Sequence, residues 1–237
     1  MQTTCHLSLL VHEQARKYGD APALTFKHFG GDEWKTVSWN QFSLRVKQVS
    51  NALLNLGLKP QEKIAVFAQN CLQYLYTDMG AYGVRAVTIP FYATSSEQQI
   101  QFVVNDAQVR FIFVGEQEQY DKAHRVLNLC SSLERIVVFD RNVRISSHDP
   151  NTLYFDDFLK LGENLPRQSE VEKLWSEAKE DDLCNILYTS GTTGDSKGVM
   201  ITYSQYHAAL VSNAMCVPVN DSDRVISFLP FTHIFER

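Results

Sequence analysis

The strongest constraint on how this chain can fold is an alternation. Between positions 40 and 139, short continuous apolar runs take turns with amphipathic stretches. Phe42, Val46, Val49, Leu53 and Leu56 recur at helical spacing and so share one stripe of a helix. Asn40 is its expected N-cap and Gly57 its expected stop. Ile64 to Ala68 is apolar throughout, as a strand covered on both faces must be. Further strands are expected at 86–89 (ending at Pro90), 111–114 and 136–139, with helices at 72–82, 96–106 and 116–129. Strands separated by helices need crossover connections, so the expected class is α/β, with mainly parallel sheets and flanking helices. Upstream, Ala23 to Lys27 and Trp34 to Trp39 flank Gly30-Gly31 and predict a hairpin at a sheet edge.

Composition narrows the function classes. Hydrophobic residues make up 44% and charged residues 21% of the 237, which is ordinary globular usage and excludes wholesale disorder. The net charge of −5 leaves no broad basic field, so nucleic acid is not an expected partner. The five cysteines (Cys5, Cys71, Cys130, Cys184, Cys216) are odd in number and widely spaced. That pattern suits neither a disulfide framework nor a zinc ribbon, and buried reduced thiols in a cytoplasmic protein are expected. No secretory leader is visible, and the most apolar stretch, 71–93, is interrupted by Asp78 and Arg85. A soluble chain follows, with peripheral membrane contact and a homodimer left open.

Residues 141–182 break the pattern. They are polar, contain Pro150 and Pro166, and carry Leu153, Phe155, Phe158 and Leu159, which need somewhere to pack. Ser169 and Glu172 suggest a capping box for a helix through Trp175. The expected organisation is an αβ region over 1–182, with a surface excursion at 141–182, and the start of a second αβ region over 183–237.

The most informative string runs Tyr188-Thr189-Ser190-Gly191-Thr192-Thr193-Gly194-Asp195-Ser196-Lys197-Gly198, between apolar Ile186-Leu187 and Val199-Met200-Ile201. A strand feeds a loop and the loop feeds another strand. Glycines let an anion approach the backbone, the hydroxyls crowd donors together, and Lys197 adds a mobile positive charge. These are the groups a polyphosphate requires. Walker A spacing fails, because Lys197 follows Ser196 and precedes Gly198, and G-x-G-x-x-G is absent. On composition alone, a solvated Gly/Ser/Thr loop is an equal reading.

Tyr188 to Gly198 resembles the signature of the adenylate-forming (AMP-binding) enzymes, with Ser196 in place of the usual proline. That exchange loosens the turn before Lys197 and leaves the donors in place. Ser227-Phe228-Leu229-Pro230-Phe231-Thr232-His233-Ile234-Phe235-Glu236-Arg237 is similar to the L-P-x-x-H-x-x-E-R segment of the long-chain fatty acyl-CoA synthetase branch. Ile89 to Glu97 and Phe102 to Ala107 resemble the same branch more weakly. The likeness spans essentially the whole chain, as the N-terminal portion of such an enzyme's large domain.

The resemblance implies ATP-dependent activation of a long-chain fatty acid to an acyl-adenylate, then transfer to coenzyme A, with Mg2+ as cofactor. By position, Ser190, Gly191, Thr192, Thr193, Gly194 and Lys197 would hold the β- and γ-phosphates. Thr189 would hold phosphate and supply a hydroxyl near the magnesium. Lys197 and His233 would be catalytic, with His233 beside the reacting carboxylate. Without the motif, His233 reads as a turn histidine satisfied by backbone. His6, His12, His28, His124, His148 and His207 have no ligand spacing and are expected at surface or core positions. Tyr74, Tyr76, Tyr82 and Phe91 are expected to pack in the core, and Glu97 and Asp106 to be helix-end charges. Family members are about double this length or more, so an incomplete, inactive piece is expected. The alternatives are a ligase for another carboxylic acid and a non-catalytic module that binds nucleotide or a partner.

Overall fold

A computed structural model describes residues 7–27, 31–147, 149–189, 196–217 and 220–233. Helix α1 (Leu7–Tyr18) is followed by β1 (Pro22–Lys27), β2 (Trp34–Ser38) and the long α2 (Trp39–Asn55). The predicted alternation then appears as β3 (Lys63–Phe67), α3 (Leu72–Gly83), β4 (Val87–Phe91), α4 (Glu97–Ala107), β5 (Val109–Val114), α5 (Gln117–Leu127) and β6 (Arg135–Val138). Residues 141–182 contribute β7 (Thr152–Tyr154), α6 (Phe155–Asn164) and α7 (Gln168–Ser176). The chain continues through β8 (Leu183–Thr189), β9 (Lys197–Thr202) and α8 (Tyr203–Cys216).

The main sheet has seven strands in the order β7-β6-β5-β3-β4-β8-β9, all parallel except β9. This is the α/β architecture the alternation predicts. The inner strands are mostly apolar because both faces are covered. Ile64 and Val66 of β3 point into one core with α2, α3, α6 and α7, whereas Ala65 and Phe67 point into a second core with α4 and α5. A third cluster joins Tyr82, Cys184, Tyr203 and Tyr206. Tyr74, Tyr76, Tyr82 and Phe91 are all buried, as core packing requires. No helix among the described residues is long and apolar enough to cross a membrane.

Several boundaries differ from expectation, each for a local reason. Helix α2 is capped by Ser38, not Asn40. The Gln41 amide donates to Ser38 Oγ (3.2 Å) and the Ser38 amide donates to Gln41 Oε1 (2.9 Å), a full capping box. Asn40 instead donates to Asp20 Oδ1 at 2.9 Å. The expected stop at Gly57 is present. With φ at +77°, Gly57 donates to Leu54 O and Leu58 donates to Leu53 O, a Schellman closure. Strand β4 runs through Pro90 to Phe91. Its pairing with β8 is confined to Thr88↔Asn185, so Pro90 has no ladder partner on that side. The β1–β2 hairpin forms its own two-stranded sheet rather than an edge of the main one, and Gly30 lies outside the described residues.

Helix α7 starts at Gln168 without a side-chain cap, so Ser169 lies inside it. Its start is set by tertiary contacts. The Arg167 amide donates to Asn51 Oδ1 (3.0 Å) and its guanidinium to Leu54 O (2.7 Å), both on α2. Phe155, Phe158 and Leu159 find their packing place under α2. Cys130 and Cys184 are buried free thiols, Cys71 is half-buried and Cys216 is exposed. Cys216 departs from the expected burial because α8 buries only Tyr203 and Tyr206. Cys5, His6, His28 and His148 lie outside the described residues.

Candidate functional site

The strand order reverses direction at β3. The chain crosses from β3 to β4 by way of α3 on one face, then returns past β3 to β5 by way of α4 on the other. Helices leaving neighbouring strand ends toward opposite faces open a crevice at the carboxyl edge of a parallel sheet, the usual ligand position in such folds. Thr189, Lys197 and His233 are carried to this edge by two segments.

The first segment is the β8–β9 hairpin. Strand β8 runs parallel to β4 and reaches the carboxyl edge at Thr189, and β9 returns from Lys197. Thr189 and Lys197 face each other as the last pair of the ladder, and both are exposed. The hydroxyl and the ammonium therefore flank the mouth of the loop between them. Ser190, Gly191, Thr192, Thr193 and Gly194 lie outside the described residues.

Strand β8 is held in the sheet largely by side chains. Asn185 is fully buried, donates to Thr88 Oγ1 (2.5 Å) and to Thr88 O (3.2 Å), and accepts from the Tyr82 hydroxyl (3.0 Å). At the other end, the Gln61 amide donates to Leu183 O (3.2 Å) and accepts from the Leu183 amide (2.9 Å). Arg85, with its guanidinium on Asp182 (2.8 Å), ties the approach to β8 onto the end of α3. These groups replace backbone ladder bonds that the single Thr88↔Asn185 pair does not supply.

The second segment is 229–233. Asn70, just past the carboxyl end of β3, donates from Nδ2 to Leu229 O (2.6 Å) and accepts from the Phe231 amide (2.9 Å). Phe231 is buried and meets Tyr74 of α3 edge-on, with centroids 5.3 Å apart. The His233 amide donates to Pro230 O (2.9 Å), closing a turn that presents an exposed imidazole. Strands β3 and β8 flank β4, so their ends are about 10 Å apart at ordinary strand spacing. The fold thus brings the Lys197 and Thr189 pair and the segment bearing His233 to one edge of one sheet. Ile234 to Arg237 lie outside the described residues.

Asn70 was invisible to sequence reasoning, because one asparagine after a strand has no periodic or motif signature. Glu97 opens α4 beside its Ser96 cap and pairs with Arg125, as a helix-end charge would. Asp106 is bound to Tyr188 by a hydrogen bond. Among the described residues, no group of three or more His, Cys, Asp or Glu could hold a metal ion.

Residues 11–237 match the family described as AMP-binding enzyme. The chain is 27% identical over 229 residues to the long-chain-fatty-acid–CoA ligase ACSBG2 of Xenopus laevis, covering 95% of this chain and 30% of that protein. It is 32% identical over 216 residues to fatty acyl-CoA synthetase A of Dictyostelium discoideum, covering 86% of this chain and 30% of that protein. Among solved structures, a long-chain-fatty-acid–CoA ligase (FadD1) from Archaeoglobus fulgidus superposes with a TM-score of 0.74 at 19% identity, over 98% of this chain and 44% of that one. The A-PCP didomain of carboxylic acid reductase from Segniliparus rugosus, in complex with AMP, gives 0.75 at 19% identity, over 100% and 36%. The chain therefore spans about 30% of the length of the curated relatives it matches. With the signature string on the β8–β9 hairpin and the match running from Val11 to Arg237, the chain belongs to the AMP-binding enzyme family.

Proposed function

We propose that this chain supplies the phosphate-binding part of an AMP-forming acid–thiol ligase that activates long-chain fatty acids. The observation that carries the reading is the placement of Thr189 opposite Lys197, at the carboxyl edge of a parallel sheet, on either side of the glycine- and hydroxyl-rich loop. The family match and the relatives' names support the reaction class and the acid.

In the proposed reaction, a carboxylate oxygen of the fatty acid bonds to the α-phosphorus of ATP. The bond from that phosphorus to its bridging oxygen breaks, and pyrophosphate leaves with the electron pair. The sulfur of coenzyme A then attacks the acyl carbon, and AMP departs as the thiol gives up its proton. The first step brings two anions together, so positioning and charge neutralisation dominate its barrier. Lys197 places its positive charge against the departing pyrophosphate, and the Thr189 hydroxyl binds at the same mouth. A nucleotide-bound Mg2+ suits this donor set, because magnesium takes oxygen ligands and keeps much of its shell as phosphate and water. Thr189 would be its hydroxyl contact, and the ion would neutralise phosphate charge. His233, on its Asn70-anchored turn, would lie beside the reacting carboxylate. The implied location is cytoplasmic, with contact to a membrane surface where the fatty acid partitions.

Replacing Lys197 with alanine in the full-length polypeptide should lower palmitate-dependent ATP–pyrophosphate exchange by about 100-fold, near 3 kcal/mol of lost transition-state stabilisation. An unchanged rate with unchanged nucleotide affinity would overturn the reading. Release of AMP and pyrophosphate, rather than orthophosphate, separates it from ATP hydrolysis. Binding of MgATP with no adenylate formed from any acid would favour a non-catalytic module. Exchange with an aryl or medium-chain acid in place of palmitate would move the substrate class. We further propose that turnover requires the rest of the protein; palmitoyl-CoA formation by the 237 residues alone would show otherwise.

A further inference from the structure

Tyr188 opens the signature string but has no part in the phosphate-binding chemistry above. It stands on β8 directly opposite Gly198 of β9, one rung inside the Thr189↔Lys197 pair. A Cβ at Gly198 would lie 3.1 Å from Tyr188 Cζ, 3.3 Å from its hydroxyl oxygen and 2.8 Å from Ile186 Cγ2. The phenol thus occupies the space that a side chain on β9 would take. It meets Phe102 of α4 edge-on, with centroids 6.4 Å apart, and its hydroxyl donates to Asp106 Oδ2 at 2.5 Å. Burial and the Asp106 carboxylate hold the phenol well above its ordinary ionisation range, so it stays a donor.

The hairpin needs such a tie. Strand β9 ends the sheet and pairs with β8, while β8 pairs with β4 at Thr88↔Asn185, four residues short of Thr189. Its carboxyl end therefore extends past the backbone ladder that anchors it. A two-stranded ribbon without a neighbour twists and frays readily. We propose that Tyr188 and Asp106 form a clamp that fixes the mouth of the β8–β9 hairpin against α4, holding Thr189 and Lys197 at the separation a polyphosphate needs, with Gly198 left bare so that the phenol can cross. Asp106 and Tyr188 are positioning residues, acting through Thr189 and Lys197. The inference rests on the phosphate-binding reading of those two residues.

The test is calorimetric titration of the full chain with inorganic pyrophosphate, alongside thermal unfolding. Tyr188→Phe and Asp106→Leu should each weaken pyrophosphate binding by about 5- to 10-fold, with the melting temperature held within about 3 °C. Their double variant should be no weaker than either single one, because both remove the same bond. Asp106→Asn keeps an acceptor oxygen and should stay within about twofold of the parent. Additive losses in the double variant, unchanged affinity in both single variants, or Asp106→Asn behaving as Asp106→Leu would each overturn the clamp. Lys197→Ala separates the two levels. If it weakens binding while Tyr188→Phe and Asp106→Leu do not, the clamp alone falls. If it leaves binding unchanged, the phosphate-binding reading falls and takes the clamp with it.

Discussion

His12 shows how the surroundings of one side chain can reverse its usual behaviour. It is buried on α1, bonded through Nδ1 to Ser43 Oγ at 2.7 Å and packed on the Trp175 ring at 4.9 Å. Its Nε2 is buried without a hydrogen-bond partner among the described residues. Burial first, then the positive charges of Lys47 and Arg16, pull its pKa down from 6.5 to about 4. The folded state therefore keeps His12 neutral while the unfolded chain protonates it near 6.5. The stability tied to this site is fully present above pH 6.5 and is lost as pH falls from 6.5 toward 4, by up to about 3 kcal/mol. Urea melts at pH 7.5 and 5.0 should show about 2 kcal/mol of that loss, and His12→Gln should flatten the difference; equal pH slopes in the two proteins would refute the assignment. Asn70 is a second residue whose weight lies in its contacts. Asn70→Leu should cost about 1 kcal/mol by leaving the Phe231 amide without its acceptor. It should also speed proteolytic cleavage within 220–233, and an unaltered cleavage rate would count against Asn70 as the anchor of that segment.

Helix α6 packs on α2 through Gly162. A Cβ there would fall 1.9 Å from Gln48 O and 2.9 Å from the Ala52 amide nitrogen, both backbone atoms of α2. Gly162→Ala normally gains helix propensity, but here it must push two helices apart, and a loss of about 3 kcal/mol in denaturant melts is expected. A neutral or stabilising result would mean the helices can separate freely. Helix ends show how far local pattern reaches. The Ser38–Gln41 capping box and the Gly57 stop of α2 are both spelled in the sequence, although Asn40 competes for the cap until its bond to Asp20 is seen. The same kind of pattern at Ser169–Glu172 misleads, because α7 takes its start from Arg167 reaching α2. A cap is a contact within four residues and can be read locally. An anchor on another helix cannot.

Over the molecule as a whole, the two faces of the inner strands are closed by helices, but β9 and α8 leave apolar side chains uncovered. Met200 of β9, Leu210 and Met215 of α8, and Val225, Ile226 and Phe228 further along the chain are all exposed, Met215 and Ile226 by 82% each. Exposed apolar side chains of this size favour association. The 237-residue chain should show concentration-dependent self-association in sedimentation velocity, and Met215→Lys with Phe228→Lys should reduce it; a strictly monomeric parent at high concentration would contradict this. The exposed face also explains why α8, despite a full capping box at Thr202, buries only Tyr203 and Tyr206.

The amino-acid sequence alone determined the central alternation of strands and helices and the residue types of the string at 188–198. Apolar periodicity and chain punctuation act between neighbours, so β3 to β6 with their helices, and the hydroxyls, glycines and lysine of 189–198, are legible without a fold. Tertiary structure decided the strand order and the long-range pairs that tie β8 and the 229–233 segment to the rest of the fold. Leu183 meets Gln61, Phe231 meets Asn70, and Tyr188 meets Asp106 across 122, 161 and 82 residues of chain. No periodicity encodes such partners. They find each other only when the crossovers carry β8 past β4 to its place in the sheet, because a hydrogen bond is specified by position in space and not by distance along the chain.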